Sequence, residues 1–125
     1  MRQPDIEIYL REDHLPALFD WLASLGPLTQ PESGHGRGLW QLNGESIELL
    51  VVRKAAGKWA SIWFDSPHTP WATDRDCALA VFAAIGQQVR CSVGGWQEDD
   101  GEEDADRWLK IDAEGEQEFV WALRN

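Results

Sequence analysis

The chain contains two cysteines and three histidines, which are side chains able to act as nucleophiles, bases or metal ligands. A thiolate nucleophile needs a neighbouring base, and His68 is the candidate base for Cys77 or Cys91. Asp65 or Asp74 could then orient the imidazole ring. Nothing in the spacing brings these groups together, so the favoured interpretation is an exposed loop histidine and two buried, reduced thiols.

The spacing of the potential ligands does not predict a metal or phosphate site. The histidines, at positions 14, 35 and 68, form no HxxxH or HExxH pattern, and the cysteines form no CxxC pattern. In the acidic segment 97–106, the glycine and the final glutamate are misplaced for a calcium-binding loop. The glycine-rich segment 34–38 is too short for a P-loop. We therefore predict no metal, no cofactor, no catalytic residue and no enzymatic activity.

Tryptophan is the residue type that departs most from ordinary usage. Eight of the 125 residues are tryptophan, and a domain of this size can rarely bury eight such large side chains fully. Tryptophans at a surface tend to mark binding sites, so the composition indicates binding more than chemistry. They are spread along the chain as Trp21, Trp40, Trp59, Trp63, Trp71, Trp96, Trp108 and Trp121.

The formal net charge of −11 is concentrated near the C-terminus. Residues 97–106 hold seven acids and no base. This charge argues against nucleic-acid binding and against docking on anionic lipid, but it fits a basic protein partner because complementary charge speeds encounter. The alternative is a solvated loop that only aids solubility. The acids proposed to bind the partner are Asp99, Asp100, Glu102 and Glu103.

Length and composition predict a single globular domain over residues 1–125, with an acidic loop at 97–106. No apolar run approaches the roughly 20 residues of a membrane span. The N-terminal residues 1–13 carry charges throughout and lack an apolar signal core, so a cytoplasmic location is expected.

Alternation, capping residues and turn dipeptides predict the elements of the first half. Residues 5–10 alternate as a half-buried strand. Asp13 is expected to cap a helix that ends at Gly26-Pro27. The apolar stripe of this helix comprises Leu15, Leu18, Phe19, Leu22 and Leu25. A short strand near 28–31 is followed by strands at 39–43, 46–54 and 58–65, with hairpin turns at Asn43-Gly44 and Ala56-Gly57.

The second half is predicted to begin with a helix capped by Thr73 and closed by Gly86. Its apolar stripe is Ala78, Val81, Phe82 and Ile85, and strands follow at 88–93, 107–111 and 118–123. The lack of sustained strand–helix alternation argues against a doubly wound parallel sheet. We therefore predict an α+β fold, a mostly antiparallel sheet with two helices packed on one face.

Strand alternation places three tryptophans on one surface of this sheet. Trp59 and Trp63 share a face with Ser61 and Asp65, opposite the apolar residues of the same strand. Trp108 likewise lies on the other side of its strand from Leu109 and Ile111. We predict an aromatic patch of Trp59, Trp63 and Trp108 on the face without helices, used for binding. The alternative is that cross-strand pairs merely stabilise an open face, or that loops cover them.

The remaining tryptophans have different expected roles. Trp121 is also predicted to take part in binding. Alternation does not decide which of the two faces of its strand it occupies. Trp96 follows two glycines beside the acidic loop, so it could close over a ligand as a hinge residue. The alternative is that it only pins the loop. Trp40 and Trp21 are expected in the core. Trp71 precedes the Thr73 cap, where it could act as a hydrophobic staple.

The segment WATDRDCALAVFAAIGQQVRCSVGGW at 71–96 resembles one found in small bacterial α+β proteins that form a domain family of unknown function. A capped helix, a cysteine-bearing strand and a Gly-Trp turn occur in the same order there. The resemblance covers about a fifth of the chain. It implies a bacterial origin and an α+β fold, and it carries no activity. The acidic, tryptophan-rich composition is also similar to that of immunity proteins of bacterial toxin systems.

We expect a non-enzymatic protein-interaction module of immunity-like type that binds a basic protein. The protein would be a monomer, or a homodimer formed through the tryptophan face. The alternative is a small-molecule binding domain with Trp59, Trp63 and Trp108 lining a pocket. A third hypothesis is an enzyme that uses Cys77 or Cys91 with His68, which predicts a reactive thiol.

Overall fold

The computed structural model describes residues 6–31, 36–66, 68–92 and 107–120. The helical elements are a 3-10 turn at Glu12–His14, α1 at Leu15–Leu25 and α2 at Asp74–Ile85. The strands are β1 at Ile6–Arg11, β2 at Leu28–Thr29, β3 at Gly36–Leu42, β4 at Glu45–Ala56, β5 at Trp59–Asp65, β6 at Val89–Ser92, β7 at Arg107–Asp112 and β8 at Gly115–Val120.

The eight strands of the described ranges form one antiparallel sheet in the order β2-β3-β4-β5-β1-β6-β7-β8. The first strand of the chain therefore lies in the middle of the sheet, between β5 and β6. Both α1 and α2 pack against this sheet and against each other. The predicted α+β fold with a mostly antiparallel sheet and two helices is confirmed.

The core lies between the sheet and the two helices. Alternate strand residues point into it, and each is almost completely removed from solvent. The central strands contribute Ile6, Ile8, Leu10, Ala60, Ile62 and Phe64, while α1 contributes Leu15, Leu18, Phe19 and Leu22, and α2 contributes Cys77, Ala78 and Val81.

The start of α1 differs from the prediction. Asp13 lies within the 3-10 turn, so His14 is the N-cap residue and makes no side-chain hydrogen bond to the helix. The predicted stop is confirmed, since Gly26 caps the C-terminus. Leu25, expected in the apolar stripe, is 47% exposed. At about 100° per residue it lies roughly 80° from Leu15 around the axis, on the margin of the buried face.

The predicted boundaries of α2 are confirmed by both caps. The Thr73 hydroxyl accepts a hydrogen bond from the Asp76 N–H at 3.1 Å. Gly86 has φ +72°, the left-handed conformation that closes a helix, and its N–H donates to the Phe82 carbonyl at 2.8 Å. Within α2, Asp74 accepts a hydrogen bond from the backbone N–H of Glu7 at 3.1 Å, which ties α2 to β1.

Two hairpin turns join β3, β4 and β5. Asn43 and Gly44 both have positive φ, at 53° and 83°, as a tight hairpin turn requires, so the predicted turn is confirmed. The second turn lies one residue later than predicted, at Gly57 and Lys58. The register shifts between Val52 and Ala56, and β4 includes Ala56, the first residue of the predicted turn.

Candidate aromatic binding face

Trp59 and Trp63 lie on the side of β5 that faces away from the helices. Both side chains are half-buried, whereas Ala60, Ile62 and Phe64 on the other side of the strand are completely buried. Alternation along the strand produces this difference, because successive side chains point to opposite faces of the sheet.

The neighbouring strand β1 adds two residues to this face that local sequence patterns did not predict there. Glu7 lies opposite Trp63 and Tyr9 lies opposite Ser61 on β5, so both share the face of the two tryptophans. The pattern Ile-Glu-Ile-Tyr-Leu at 6–10 does predict that Glu7 and Tyr9 share the less buried side of β1, because both alternate with buried residues. Only the pairing of β1 with β5 shows that Glu7 and Tyr9 lie on the same face of the sheet as the tryptophans of β5.

Strands β6, β7 and β8 extend the same face. Tyr9 lies opposite Arg90, and Arg90 lies opposite Lys110. Trp108 lies opposite Phe119 and meets the Tyr9 ring edge to face, with centroids 5.3 Å apart and an interplanar angle of 86°. We name the surface formed by Tyr9, Trp59, Trp63, Trp108 and Phe119 the aromatic face.

Arg90 lies among the rings of the aromatic face and contacts two of them. Its guanidinium carbon lies 4.0 Å from the ring centroid of Trp59 and 4.7 Å from that of Phe119. Its Nε donates to Gln88 Oε1 at 2.8 Å, and Gln88 in turn donates to Asp112 Oδ2 at 2.9 Å. Burial and, secondarily, the charge of Arg11 lower the pKa of Arg90 from its usual value. Rings from β5 and β8 therefore converge on one oriented cation.

Glu7 and Ser61 form a polar pair among the rings. The Ser61 hydroxyl donates to Glu7 Oε2 at 2.5 Å. Burial raises the pKa of Tyr9, the charge of Glu7 raises it further, and a hydrogen bond with Ser61 opposes the change. The aromatic face thus carries an acid beside its rings as well as the cation Arg90.

Tyr9 gives this electrostatic environment a direct readout, because it is the only tyrosine of the chain. We expect its phenolate, followed at 295 nm, to form at a pH above the ordinary tyrosine value of 10.0. Glu7→Gln should shift the midpoint toward lower pH, since it removes a negative charge that disfavours the phenolate. Glu48→Gln, an exposed acid on β4, serves as the control. A midpoint unchanged by Glu7→Gln would contradict the described geometry.

A second aromatic cluster lies on the core side of the sheet. Trp40 is completely buried, as predicted, and its Nε1 donates to the Leu22 carbonyl at 2.9 Å. Trp71, expected to staple the start of α2, stacks on Trp40 with centroids 5.8 Å apart. It also contacts Trp21 and Phe64. These three tryptophans pack with one another, and both Trp21 and Trp71 are only partly buried against the core.

Part of the predicted site lies outside the described residues. This holds for Trp96, Trp121 and the acidic loop at 97–106 with Asp99, Asp100, Glu102 and Glu103. Their role in binding stays a prediction.

The two thiols do not have the character of nucleophiles. Cys77 and Cys91 are completely buried free cysteines. Burial raises the pKa of Cys77 well above its usual value, and that of Cys91 to about 12, with the charge of Asp74 adding to both. His68 is exposed, and its Nε2 lies 3.6 Å from Glu45 Oε1. A thiolate at either position is therefore disfavoured at neutral pH.

We expect both cysteines to be alkylated slowly by iodoacetamide at pH 8 in the folded protein, and rapidly once urea unfolds it. Burial and the raised pKa values hold the thiols protonated and out of reach. The measurement is the time course of mass increase with and without urea. Rapid modification of either thiol in the folded chain would restore the nucleophile hypothesis.

The described residues contain no metal-binding cluster and no membrane-spanning helix. No group of three or more His, Cys, Asp or Glu side chains there lies close enough to hold a metal ion. Neither helix in the described ranges is long and apolar enough to cross a membrane.

Comparison with protein families, curated proteins and solved structures finds no match to this chain. The bacterial origin implied by residues 71–96 therefore remains a prediction. The same holds for the immunity-like role implied by the composition.

Proposed function

We propose that this protein is a non-enzymatic interaction module that binds a basic protein through the aromatic face. The observation that carries the proposal is the convergence of Trp59, Trp63 and Trp108 with Tyr9 and Phe119 on the side of the sheet away from the helices. Trp and Tyr supply large apolar contacts with a polar edge, and they are enriched among the residues that dominate binding energy.

The surroundings of the rings also have the composition of a protein-binding surface. Trp59, Trp63 and Trp108 keep part of their surface in solvent, and Glu7, Arg90 and Lys110 lie among the rings. Apolar anchors surrounded by polar groups are the usual anatomy of a reversible interface. Arg90 additionally holds two rings in place, which reduces the ordering that binding would require.

Charge favours a basic partner over an acidic one. The chain has a formal net charge of −11, and its aromatic face carries the acid Glu7 beside the cations Arg90 and Lys110, so the preference comes from the charge of the whole chain. A lysine or arginine of the partner would meet that carboxylate and could stack on the neighbouring rings. The acidic segment 97–106 would speed the encounter. An inhibitor of a basic toxin domain, as in immunity proteins, is the most specific form of this proposal.

Free thiols suit a reducing compartment, which supports a cytoplasmic location for this module.

The test uses the purified chain immobilised on a column and soluble extract of the source cells. We expect one protein with a basic isoelectric point to be retained at low salt and released as salt rises, because screening weakens the charge contribution. Columns with Trp63→Ala or Trp108→Ala should lose it, while Leu25→Ala should retain it, since Leu25 is an exposed apolar side chain of α1. Retention by all four columns would mean nonspecific capture and contradict the proposal.

The same material decides between a partner and self-association. Light scattering of the wild-type chain should give a monomer under conditions in which the complex forms. A stable dimer that Trp63→Ala dissociates would instead assign the aromatic face to the homodimer, and would overturn the proposed partner site.

A further inference from the structure

Three cations lie side by side at one end of the aromatic face, although the chain has twice as many acids as lysines and arginines. Arg90 on β6 lies opposite Lys110 on β7 and opposite Tyr9 on β1. Arg11 comes two residues after Tyr9, so it shares the face of Tyr9 and is the diagonal neighbour of Arg90. We name Arg11, Arg90 and Lys110 the basic cluster.

Two observations show that these positive charges are close together. The guanidinium carbon of Arg90 and the Nζ of Lys110 lie 4.7 and 5.7 Å from the centroid of the same Phe119 ring. Burial lowers the pKa of Arg90, and the charge of Arg11 lowers it further, so the two guanidinium groups repel each other. All three side chains of the basic cluster are half-buried, and water therefore screens the repulsion only in part.

Acids of the described ranges do not neutralise the flanks of the basic cluster. Within those ranges, neither Arg11 nor Lys110 forms an ion pair. The carboxylate of Asp112, two residues after Lys110 on β7, is used by other donors. Its Oδ2 accepts from Gln88 and its Oδ1 from the backbone N–H of Glu114, both at 2.9 Å. Repelling charges that a fold keeps together are typical of a functional site, and here their sign indicates an anion as the ligand.

The central guanidinium of the basic cluster is already oriented. Arg90 stacks on Trp59, with its guanidinium carbon 4.0 Å from the ring centroid, and its Nε donates to Gln88 Oε1 at 2.8 Å. A side chain that is held in place loses less conformational entropy when a ligand binds. Guanidinium groups suit carboxylate and phosphate oxygens, and arginine clusters are a recurring means of recognising acidic and phosphorylated groups.

We propose that the basic cluster binds an oxyanion, namely a carboxylate or a phosphate group. Arg11 on β1 and Lys110 on β7 flank Arg90 on β6, so the anion would lie over β6 and contact all three cations. The oxyanion group can belong to a free small molecule or to an acidic side chain of the basic protein partner. Only the second source rests on the proposed function, because the isolated chain is sufficient to test the site itself.

The experiment titrates the ¹⁵N-labelled full-length chain with sodium phosphate and, separately, with sodium acetate, followed by backbone amide and arginine Nε–H chemical shifts. A sodium chloride titration at the same ionic strengths is the reference, because salt alone screens charges. We expect saturable shifts of the Arg90 Nε–H and of the amides at 10–12, 88–90 and 110–112. Absence of saturation with both oxyanions, or shifts that chloride reproduces, would overturn the proposal.

The captured basic partner distinguishes the two sources of the oxyanion. If the partner supplies the group, phosphate should compete with it and Arg11→Gln should weaken the complex. If the group belongs to a free molecule, phosphate should bind the complex as tightly as the isolated chain. The phosphate titration of the isolated chain does not depend on either result, so failure of the oxyanion site and failure of the proposed partner are distinguishable.

Variants assign the shifts to the basic cluster. Arg11→Gln and Lys110→Gln should each weaken phosphate binding about tenfold, because each removes a charged donor to the anion. The two residues lie on different strands, so one variant tests the site even if the other impairs folding. Arg37→Gln is the matched control and should leave the affinity unchanged, since Arg37 lies on the same face but is paired with Glu48 on β4. Affinity unchanged in both Arg11→Gln and Lys110→Gln would refute the site.

Discussion

Replacing Trp40 by alanine is expected to lower the free energy of unfolding by about 3–5 kcal/mol, the range for deleting a large buried aromatic side chain. Trp40 is completely buried between the sheet and the helices, where its ring stacks on Trp71 and contacts Phe64. The substitution would remove all of these contacts and leave a cavity that the surrounding strands cannot close.

Trp40→Phe separates packing from hydrogen bonding. Phenylalanine keeps most of the apolar volume but loses the Nε1 donor to the Leu22 carbonyl. That carbonyl still accepts from the Gly26 N–H at 3.2 Å, so it is not left without a donor. We therefore expect a loss of only about 1–2 kcal/mol. Urea unfolding followed by circular dichroism measures both. A loss below 1 kcal/mol in Trp40→Ala would contradict the structural role of this cluster.

Trp108→Ala is expected to weaken the complex with the basic partner by about 2 kcal/mol or more, which is roughly 30-fold in Kd. Trp108 contacts Tyr9 edge to face and lies opposite Phe119, so it joins the two halves of the aromatic face. Isothermal titration calorimetry with the captured partner gives the affinity. Because Trp108 is half-buried, the variant should remain folded, and its urea midpoint checks this.

Leu25→Ala is the control for that comparison, since Leu25 is exposed on α1. It should change the affinity less than twofold, as expected for an apolar side chain outside the interface. An equal loss in Leu25→Ala and Trp108→Ala would indicate that binding does not depend on the aromatic face.

Local patterns predicted the faces of individual strands well. Trp59 and Trp63 alternate with three residues that are completely buried, and the period of two along β5 places both tryptophans away from the helices without knowledge of the neighbouring strands. Thr73 and Gly86 similarly defined α2, because both caps depend on local backbone geometry.

Relations between distant strands could not be predicted in this way. Glu7 and Tyr9 join the aromatic face because β1 inserts between β5 and β6, a pairing that no local pattern contains. The stacking of Arg90 between Trp59 and Phe119 depends on the same order. The predicted N-cap of α1 was wrong for a local reason. A 3-10 turn that contains Asp13 precedes the helix.

The most direct test of the central proposal labels all eight tryptophans with 5-fluorotryptophan and follows the ¹⁹F resonances as the basic partner is added. Single Trp→Phe variants assign the signals. We expect the resonances of Trp59, Trp63 and Trp108 to shift or broaden, while those of Trp40 and Trp71 stay in place. Perturbation of Trp21 and Trp71 with Trp63 and Trp108 unchanged would place the partner on the helical side and contradict the account.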